Sequence, residues 1–233
     1  MSLEFMKRLA ARLPAAWQAE LKRVRYRGQI RRQTFGNSEA EFAMLGSMLA
    51  PGDWVIDVGA NVGHYTKRFS DLVGPTGRVI AFEPVPETFA LLAANVALFE
   101  HQNVTLLNFA ASNAPSAVGL QIPRFSSGLR NFYQAAVTRD AGDLQVLTVP
   151  LDSLGLSHRI SLVKIDAEGH DAEVLQGMDG ILRRDLPVLI VESGQASMAD
   201  TLGKLGYLHE TPPHSPNTLF RRPGGTAIPS PGA

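Results

Sequence analysis

Ten residues constrain this chain more than any others: Trp54-Val55-Ile56-Asp57-Val58-Gly59-Ala60-Asn61-Val62-Gly63. A short apolar run ends at an aspartate, and Gly-x-x-x-Gly then opens what reads as a helix. A strand feeding a tight turn of this kind belongs to an open, parallel α/β sheet that holds a nucleotide-like ligand at its carboxyl edge. A dinucleotide fingerprint would read Gly-x-Gly-x-x-Gly and present bare amides to a pyrophosphate. Here the Gly-x-Gly is missing, and Asp57 stands at the strand end. A carboxylate there repels phosphate and attracts a cation. The structural alternative is that Asp57 caps the helix and the glycines only make a turn.

A second strand ends the same way. Arg78-Val79-Ile80-Ala81-Phe82 runs into Glu83, twenty residues after Gly63. From that position an acid reaches ribose hydroxyls in doubly wound sheets. A ligand with a ribose, positive charge and no phosphate satisfies both acids. S-adenosylmethionine has that character.

The rest of the chain alternates strands and helices. Strands are expected at 53–58, 78–83, 103–108, 160–166 and 187–192. Helices are expected at 39–49, 63–72, 86–99 and 172–177. Residues 206–221 read as two strands joined by a Pro-rich turn. The pattern predicts an α/β fold, a Rossmann-like doubly wound sheet, mainly parallel, with a C-terminal antiparallel hairpin. An insertion at 111–150 breaks the rhythm, with strands expected at 117–122 and 145–150 around a polar loop at 123–143. Three regions follow: a basic helical arm at 1–35, a catalytic-type domain at 36–222, and a tail at 223–233 that is too poor in large apolar residues to order.

Composition narrows the chemistry. There is no cysteine among the 233 residues, which excludes disulfides, thiolate nucleophiles and Cys-based zinc sites. No apolar run reaches membrane-spanning length and no signal-peptide core is evident, so a cytoplasmic location is expected. Residues 1–32 hold nine Lys or Arg against Glu4 and Glu20, while the remaining chain is acidic. A nucleic-acid binder is not expected. In the arm, Leu9, Leu13, Trp17, Leu21 and Val24 recur at helical spacing, with Pro14 interrupting. The simplest reading is an accessory helix packed on its own domain, though anionic lipid, RNA or an acidic partner also suits it. A homo-oligomer is compatible with the sequence.

These motifs together resemble the FkbM-type S-adenosylmethionine-dependent methyltransferases. The matching segments are Pro51 to Gly63, Phe82-Glu83-Pro84, Leu151-Asp152-Ser153-Leu154, and Val163-Lys164-Ile165-Asp166-Ala167-Glu168-Gly169-His170 with Glu173 to Gly177. The resemblance spans roughly 36–195 and implies a class I methyltransferase fold. It implies O-methylation of a hydroxyl on a small molecule, sugar or glycolipid, with S-adenosylmethionine as cofactor. By position it places Asp57, Gly59, Ala60, Asn61 and Gly63 at the cofactor's methionyl part, Glu83 and Pro84 at the ribose, Asn108 to Ala110 at the adenine, and Asp166 beside the methyl group. Glu41 and Thr66 are further expected cofactor contacts. A nicotinamide-dependent oxidoreductase and a noncatalytic adenosine-binding protein are the competing readings.

Transfer to a hydroxyl needs an aligned acceptor oxygen and a base. Asp166, Glu168 and His170 are the candidates. His170 has the suitable intrinsic pKa, and either acid serves if partly desolvated. Asp166, Glu168 and Glu192 are also an oxygen set of the kind magnesium takes, but the expectation is that no metal is required. In the insertion, Arg124, Ser126, Ser127, Arg130 and Tyr133 are expected to bind the acceptor.

Overall fold

The computed structural model describes residues 13–125, 130–131, 134–138, 142–192 and 196–223. Eleven strands and seven α-helices are named below. The chain begins with α1 (Ala15–Arg31) and α2 (Ala40–Met48), then β1 (Trp54–Val58), α3 (His64–Val73), β2 (Arg78–Phe82), α4 (Pro86–Val96) and β3 (Val104–Leu107). The insertion holds β4 (Ala110–Ala111), β5 (Ser116–Gln121), β6 (Ala136–Thr138) and β7 (Leu144–Val149). The chain then returns through β8 (Ile160–Ile165), α5 (Asp171–Gln176), α6 (Asp179–Asp185), β9 (Val188–Glu192), α7 (Ala196–Lys204), β10 (Leu208–Glu210) and β11 (Asn217–Arg221).

The main sheet has the order β10-β11-β9-β8-β1-β2-β3. Only β11 runs against the rest, pairing antiparallel with both β9 and β10. The doubly wound sheet and its terminal hairpin are therefore as expected. From β1 the chain winds outward through β2 and β3, then returns to β8 on the other side. The crevice between β1 and β8 is thus the topological switch point, where open α/β sheets bind ligands.

Both faces of the sheet are covered, which is why its central strands are apolar almost throughout. On one face, Ile56, Val58, Val163, Ile165, Leu189 and Val191 meet α5, α6 and α7 through Val174, Leu175, Ile181, Leu182, Met198 and Leu202. On the other, Val55, Leu162 and Ile190 meet Leu45 and Met48 of α2 and Tyr65, Phe69 and Val73 of α3. Helix α3 buries positions 65, 66, 69, 70 and 73, an i, i+1, i+4, i+5, i+8 stripe of the kind an amphipathic helix sets against a sheet. Phe69 is fully buried, so truncating it to alanine should cost about 3–5 kcal/mol. Among the described residues no helix is long and apolar enough to cross a membrane.

Two readings are corrected. The insertion is not two strands around a loop but a second, four-stranded sheet in the order β4-β7-β5-β6. Strands β4 and β6, and an antiparallel bridge between Arg124 and Arg130, are too short to leave a periodic signal. In the arm, the helix starts immediately after Pro14, since proline is tolerated at a helix start but not inside. It does pack on its own domain, but through Tyr26 and Ile30, which meet Val62, Leu91 and Phe99. The stripe that the sequence suggests for packing faces outward: Trp17 is 66%, Leu21 52% and Val24 62% exposed. Leu9 and tail residues 224–233 lie outside the described residues. Helices α6 and α7 have no counterpart in the sequence reading.

Candidate active site

The turn after β1 is built around close backbone approach. Gly59 has φ +75°, and a Cβ there would stand 1.9 Å from the carbonyl oxygen of Asp166. Only glycine fits such a position. The amides of Gly59 and Ala60 both donate to Phe82 O, at 3.1 and 2.8 Å, and Asp166 N donates to Val58 O at 3.1 Å. These bonds bring the ends of β1, β2 and β8 together. Asn61 has φ +51°, a conformation that asparagine tolerates better than most residues.

Glu83 closes one end of the crevice. Its Oε2 accepts the Asn61 amide and its Oε1 the Val85 amide, each at 2.9 Å. The side chain is almost wholly buried. Burial pushes its pKa up to about 7, against the lowering effect of these two amides, and the charges of Asp166 and Asp57 add to the rise. Asn108 donates to the carbonyls of Glu83 at 2.8 Å and Pro84 at 3.1 Å, fixing the bend after β2.

The other end is the acid cluster. Lys164 and Asp166 are two apart on β8, so they share a face. Lys164 Nζ donates to Asp166 Oδ2 at 2.8 Å and lies 4.8 Å from the Tyr65 ring centre. Burial would lower the Lys164 pKa, but the carboxylates of Asp166 and Asp57 outweigh it and hold the ammonium charged. Burial likewise opposes ionisation of Asp166, yet Lys164 and a hydrogen bond from Glu192 hold its pKa below the ordinary value. Glu192 takes the opposite share. Its hydrogen bond to Asp166, with burial and the Asp166 charge, pushes it up to about 8. The two carboxyls are thus pushed apart, Asp166 toward the ionised form and Glu192 toward the protonated one. Oxygens of Asp166, Glu168 and Glu192 all lie within 4.8 Å of one another.

Glu168 sits at φ +48°, followed by Gly169 at φ +91°. That backbone is uncommon for glutamate, and such residues cluster at functional sites. Ala167 N donates to Asp171 Oδ1 at 3.0 Å, which locks the turn. Burial, and then the charges of Asp166 and Asp171, raise the Glu168 pKa against the pull of Lys164. His170 begins α5. Its Nε2 lies 2.8 Å from Ser112 Oγ and its Nδ1 3.4 Å from Glu173 Oε2. Both ring nitrogens are thus engaged by protein groups.

Between the two ends lies a cleft with an empty volume of ≈ 600 Å³, its open mouth included. Gly59, Asn61, Glu83 and Pro84 form one side, and Asp166, Glu168 and His170 the other. The second sheet supplies an apolar roof of Leu120, Ala135 and Val137, with Phe109 and Ala110 beside it. Among the described residues, no Lys or Arg lines the cleft.

Eight of the residues singled out from sequence line this cleft: Gly59, Asn61, Glu83, Pro84, Ala110, Asp166, Glu168 and His170. Others do not. Asp57 is fully buried behind the turn, with its Oδ2 accepting the Thr66 hydroxyl at 2.6 Å. Thr66 is consumed by that bond. Ala60 contributes its backbone, and Gly63 forms the N-cap of α3 at φ +98°. Glu41 is buried elsewhere, accepting from Ser215 Oγ at 2.5 Å, Tyr65 Oη at 2.8 Å and Asn217 Nδ2. Burial works to raise its pKa, but the bonds from Ser215, its own backbone and Tyr65 outweigh that and lower it. It supports Tyr65, and Tyr65 in turn underlies Lys164. Arg124 and Arg130 face each other in their bridge, Arg130 Nη1 lies 3.4 Å from Glu87 Oε1, and neither arginine lines the cleft. Ser126, Ser127 and Tyr133 lie outside the described residues. The apolar roof and the Ser112 contact are absent from the sequence reading. Lys164 had a legible signal, its two-residue spacing from Asp166.

Comparison with known proteins decides the family. The model of the methyltransferase FkbM domain matches residues 57–208. The chain belongs to the FkbM methyltransferase family. It is 29% identical over 146 residues to hexuronic acid methyltransferase AglP of Haloferax volcanii, covering 56% of this chain and 52% of the relative. It is 25% identical over 146 residues to methyltransferase 1 of Beauveria bassiana, covering 54% of this chain and 58% of that protein. A 50-residue stretch is 52% identical to the 31-O-demethyl-FK506 methyltransferase FkbM of Streptomyces tacrolimicus, 22% of this chain and 19% of the relative. The chain therefore spans little more than half the length of the first two and far less of the third. Among solved structures, the methyltransferase FkbM of Methylobacillus flagellatus superposes with a TM-score of 0.53 at 16% identity, over 75% of this chain and 47% of that one. That likeness shows the fold, a class I methyltransferase sheet.

Proposed function

We propose that this FkbM family member is an S-adenosylmethionine-dependent O-methyltransferase whose acceptor is a neutral, hydroxylated small molecule, sugar or glycolipid. The observation that carries the reading is the cleft itself. A buried acid, Glu83, stands at one end, a solvent-reaching acid, Glu168, at the other, and both line the cleft at the switch point beside an apolar roof.

The residues fit the cofactor. Each Glu83 oxygen accepts one amide and keeps a further lone pair for a ribose hydroxyl. Asp57 does not reach the ligand: it is buried behind the turn, where Thr66 and the Lys164 charge hold it. Gly59 leaves the floor of the turn without a side chain. When bound, the cofactor supplies an electrophilic methyl group on a sulfonium. Among this chain's residues, Asp166 stays ionised and orients a hydroxyl or ammonium donor. Glu168 takes the proton of the acceptor hydroxyl, since its pKa is raised toward the working range and it faces the cleft. His170, held by Ser112 and Glu173, shapes the wall. The second sheet excludes water from above.

The acceptor class follows from charge. Among the described residues the lining holds Glu83, Asp166 and Glu168 and no Lys or Arg, which favours a neutral acceptor over an anionic one. A neutral glycoside or polyketide-type hydroxyl is of that kind. The name of the Haloferax relative, a hexuronic acid methyltransferase, supports a sugar-like acceptor but one that carries a carboxylate, so the neutral assignment rests on the cleft's lining and not on that relative; the name of the Streptomyces relative supports transfer to an oxygen.

The test is transfer of a labelled methyl group from S-adenosylmethionine to a panel of neutral glycosides, matched uronates and polyols. Turnover with the neutral members, and a fall in kcat of roughly 10²-fold or more in Glu168→Gln with S-adenosylhomocysteine affinity unchanged, is the expected result. A preference for uronates, or an unaltered kcat in Glu168→Gln, would overturn the acceptor or the base assignment respectively.

A further inference from the structure

Helix α1 has two apolar faces, and the described residues cover only one of them. At 100° per residue, Tyr26 and Ile30 lie within one narrow sector, and these side chains are buried on the domain. Trp17, Leu21 and Val24 lie on the opposite side of the helix and stand exposed. Three large side chains in one unbroken line, over two turns, are not the scattered single apolar residues of an ordinary surface.

The helix turns basic where that line ends. Arg25, Arg27, Arg31 and Arg32 follow Val24 toward the C-terminus, to either side of the line's direction, and all four are exposed. Arg23 is paired with Glu20 at 3.5 Å, and Glu20 is the only acid in the helix. A continuous apolar ridge that runs into an arginine-rich end, with a tryptophan at the other, is the chemistry of an element lying in a bilayer interface. Its apolar line enters the acyl boundary, its guanidinium groups meet anionic headgroups, and tryptophan favours that level of the bilayer.

We infer that α1 docks this protein onto anionic lipid surfaces through Trp17, Leu21 and Val24, with Arg25, Arg27, Arg31 and Arg32 reading the headgroup charge. This inference does not rest on the reaction proposed above. The buried side of the same helix touches Val62, the residue after Asn61 in the turn of β1. The membrane face and the ligand turn are thus separated by one helix diameter.

The test uses the full chain and vesicles of phosphatidylcholine, alone or with 30 mol% phosphatidylglycerol. The chain has two tryptophans, so a Trp54→Phe background leaves Trp17 as the reporter. Co-sedimentation with anionic vesicles and a blue shift of Trp17 emission are expected, both weakened by salt, with little binding to phosphatidylcholine alone. Trp17→Ser with Leu21→Ser, and separately Arg27→Glu with Arg31→Glu, should each lower partitioning at least about tenfold. Because these side chains are exposed, the melting temperature should not move. No binding to anionic vesicles overturns the inference. So does self-association seen by sedimentation velocity and lost in Trp17→Ser without vesicle binding, which would assign the face to a second copy. Salt-sensitive retention of RNA without vesicle binding would overturn it equally.

Discussion

Glu83 gives the sharpest quantitative test, because its burial couples ligand affinity to pH. In the free protein its pKa is pushed up to about 7, against about 4.3 in an unfolded chain. The sign follows from linkage. The folded value is the higher, so the native state gains from a protonated Glu83 below about pH 4.3, and that gain is lost as pH rises through 7. A ligand whose ribose hydroxyls donate to the carboxylate needs the ionised form and must expel the proton. At pH 6 roughly a tenth of the free protein is ionised at this site, and at pH 8 roughly nine-tenths, so S-adenosylhomocysteine should bind about tenfold tighter at pH 8. Titration calorimetry in two buffers of different ionisation enthalpy should count close to one proton released at pH 6. Glu83→Gln removes the titration and should flatten that slope. It should also bind more weakly, since its NH₂ group must face either the Asn61 or the Val85 amide and leave a donor unpaired, at about 1–3 kcal/mol. An affinity independent of pH in the native chain, or the same slope surviving in Glu83→Gln, would refute the assignment of Glu83 to the ribose.

Other expectations follow from the same geometry. Lys164→Met should destabilise the fold by about 3–5 kcal/mol in urea titration, because it strips the buried counter-charge from Asp57 and Asp166. Gly59→Ala should abolish S-adenosylhomocysteine binding in a thermal-shift assay, since its Cβ would stand 1.9 Å from Asp166 O. Methyl transfer should survive exhaustive chelation, because Lys164 and the Glu192 proton already relieve the charge on Asp166; activity lost with EDTA and restored by magnesium would reassign Asp166, Glu168 and Glu192 as ligands. Replacing residues 124–130 with a Gly-Ser linker should leave S-adenosylhomocysteine affinity intact and change acceptor KM, and a joint loss of both would place that segment in the structural core.

Much of the sheet was legible because its signals are local. Trp54 to Val58 and Arg78 to Phe82 are apolar runs that end in acids, and each strand lies within a residue of its expected bounds. The turn from Gly59 to Gly63 and the block from Lys164 to His170 mark the two sides of the cleft in the same way. What was not legible depends on contacts between distant segments. Asp57 reads as ligand-facing from its place at a strand end. Its register opposite Lys164 and its bond to Thr66 instead turn it inward. Glu41 reads as a cofactor acid, yet its partners Ser215 and Asn217 lie more than 170 residues away in sequence. Arg124 and Arg130 carry the right groups for a polar acceptor, and only the fold shows that they pair across a bridge. In α1, periodicity detects an apolar stripe but does not say which of two stripes meets the domain.

The neck of the insertion has its own consequence. Its two strands of entry and exit lie side by side, Ala110 against Thr148 and Ala111 against Val149, with Ser112 N donating to Val149 O at 3.1 Å. Everything between them leaves and returns through one doorway two residues wide. A segment tethered in this way can lengthen, shorten or be exchanged wholesale while the spacing of its anchors stays fixed, because closing a longer loop costs only slowly more entropy. If the acceptor site proposed above is right, the insertion that roofs it is a replaceable cassette on a constant base. Grafting a foreign segment between Ala111 and Thr148 is a direct route to new acceptor choice.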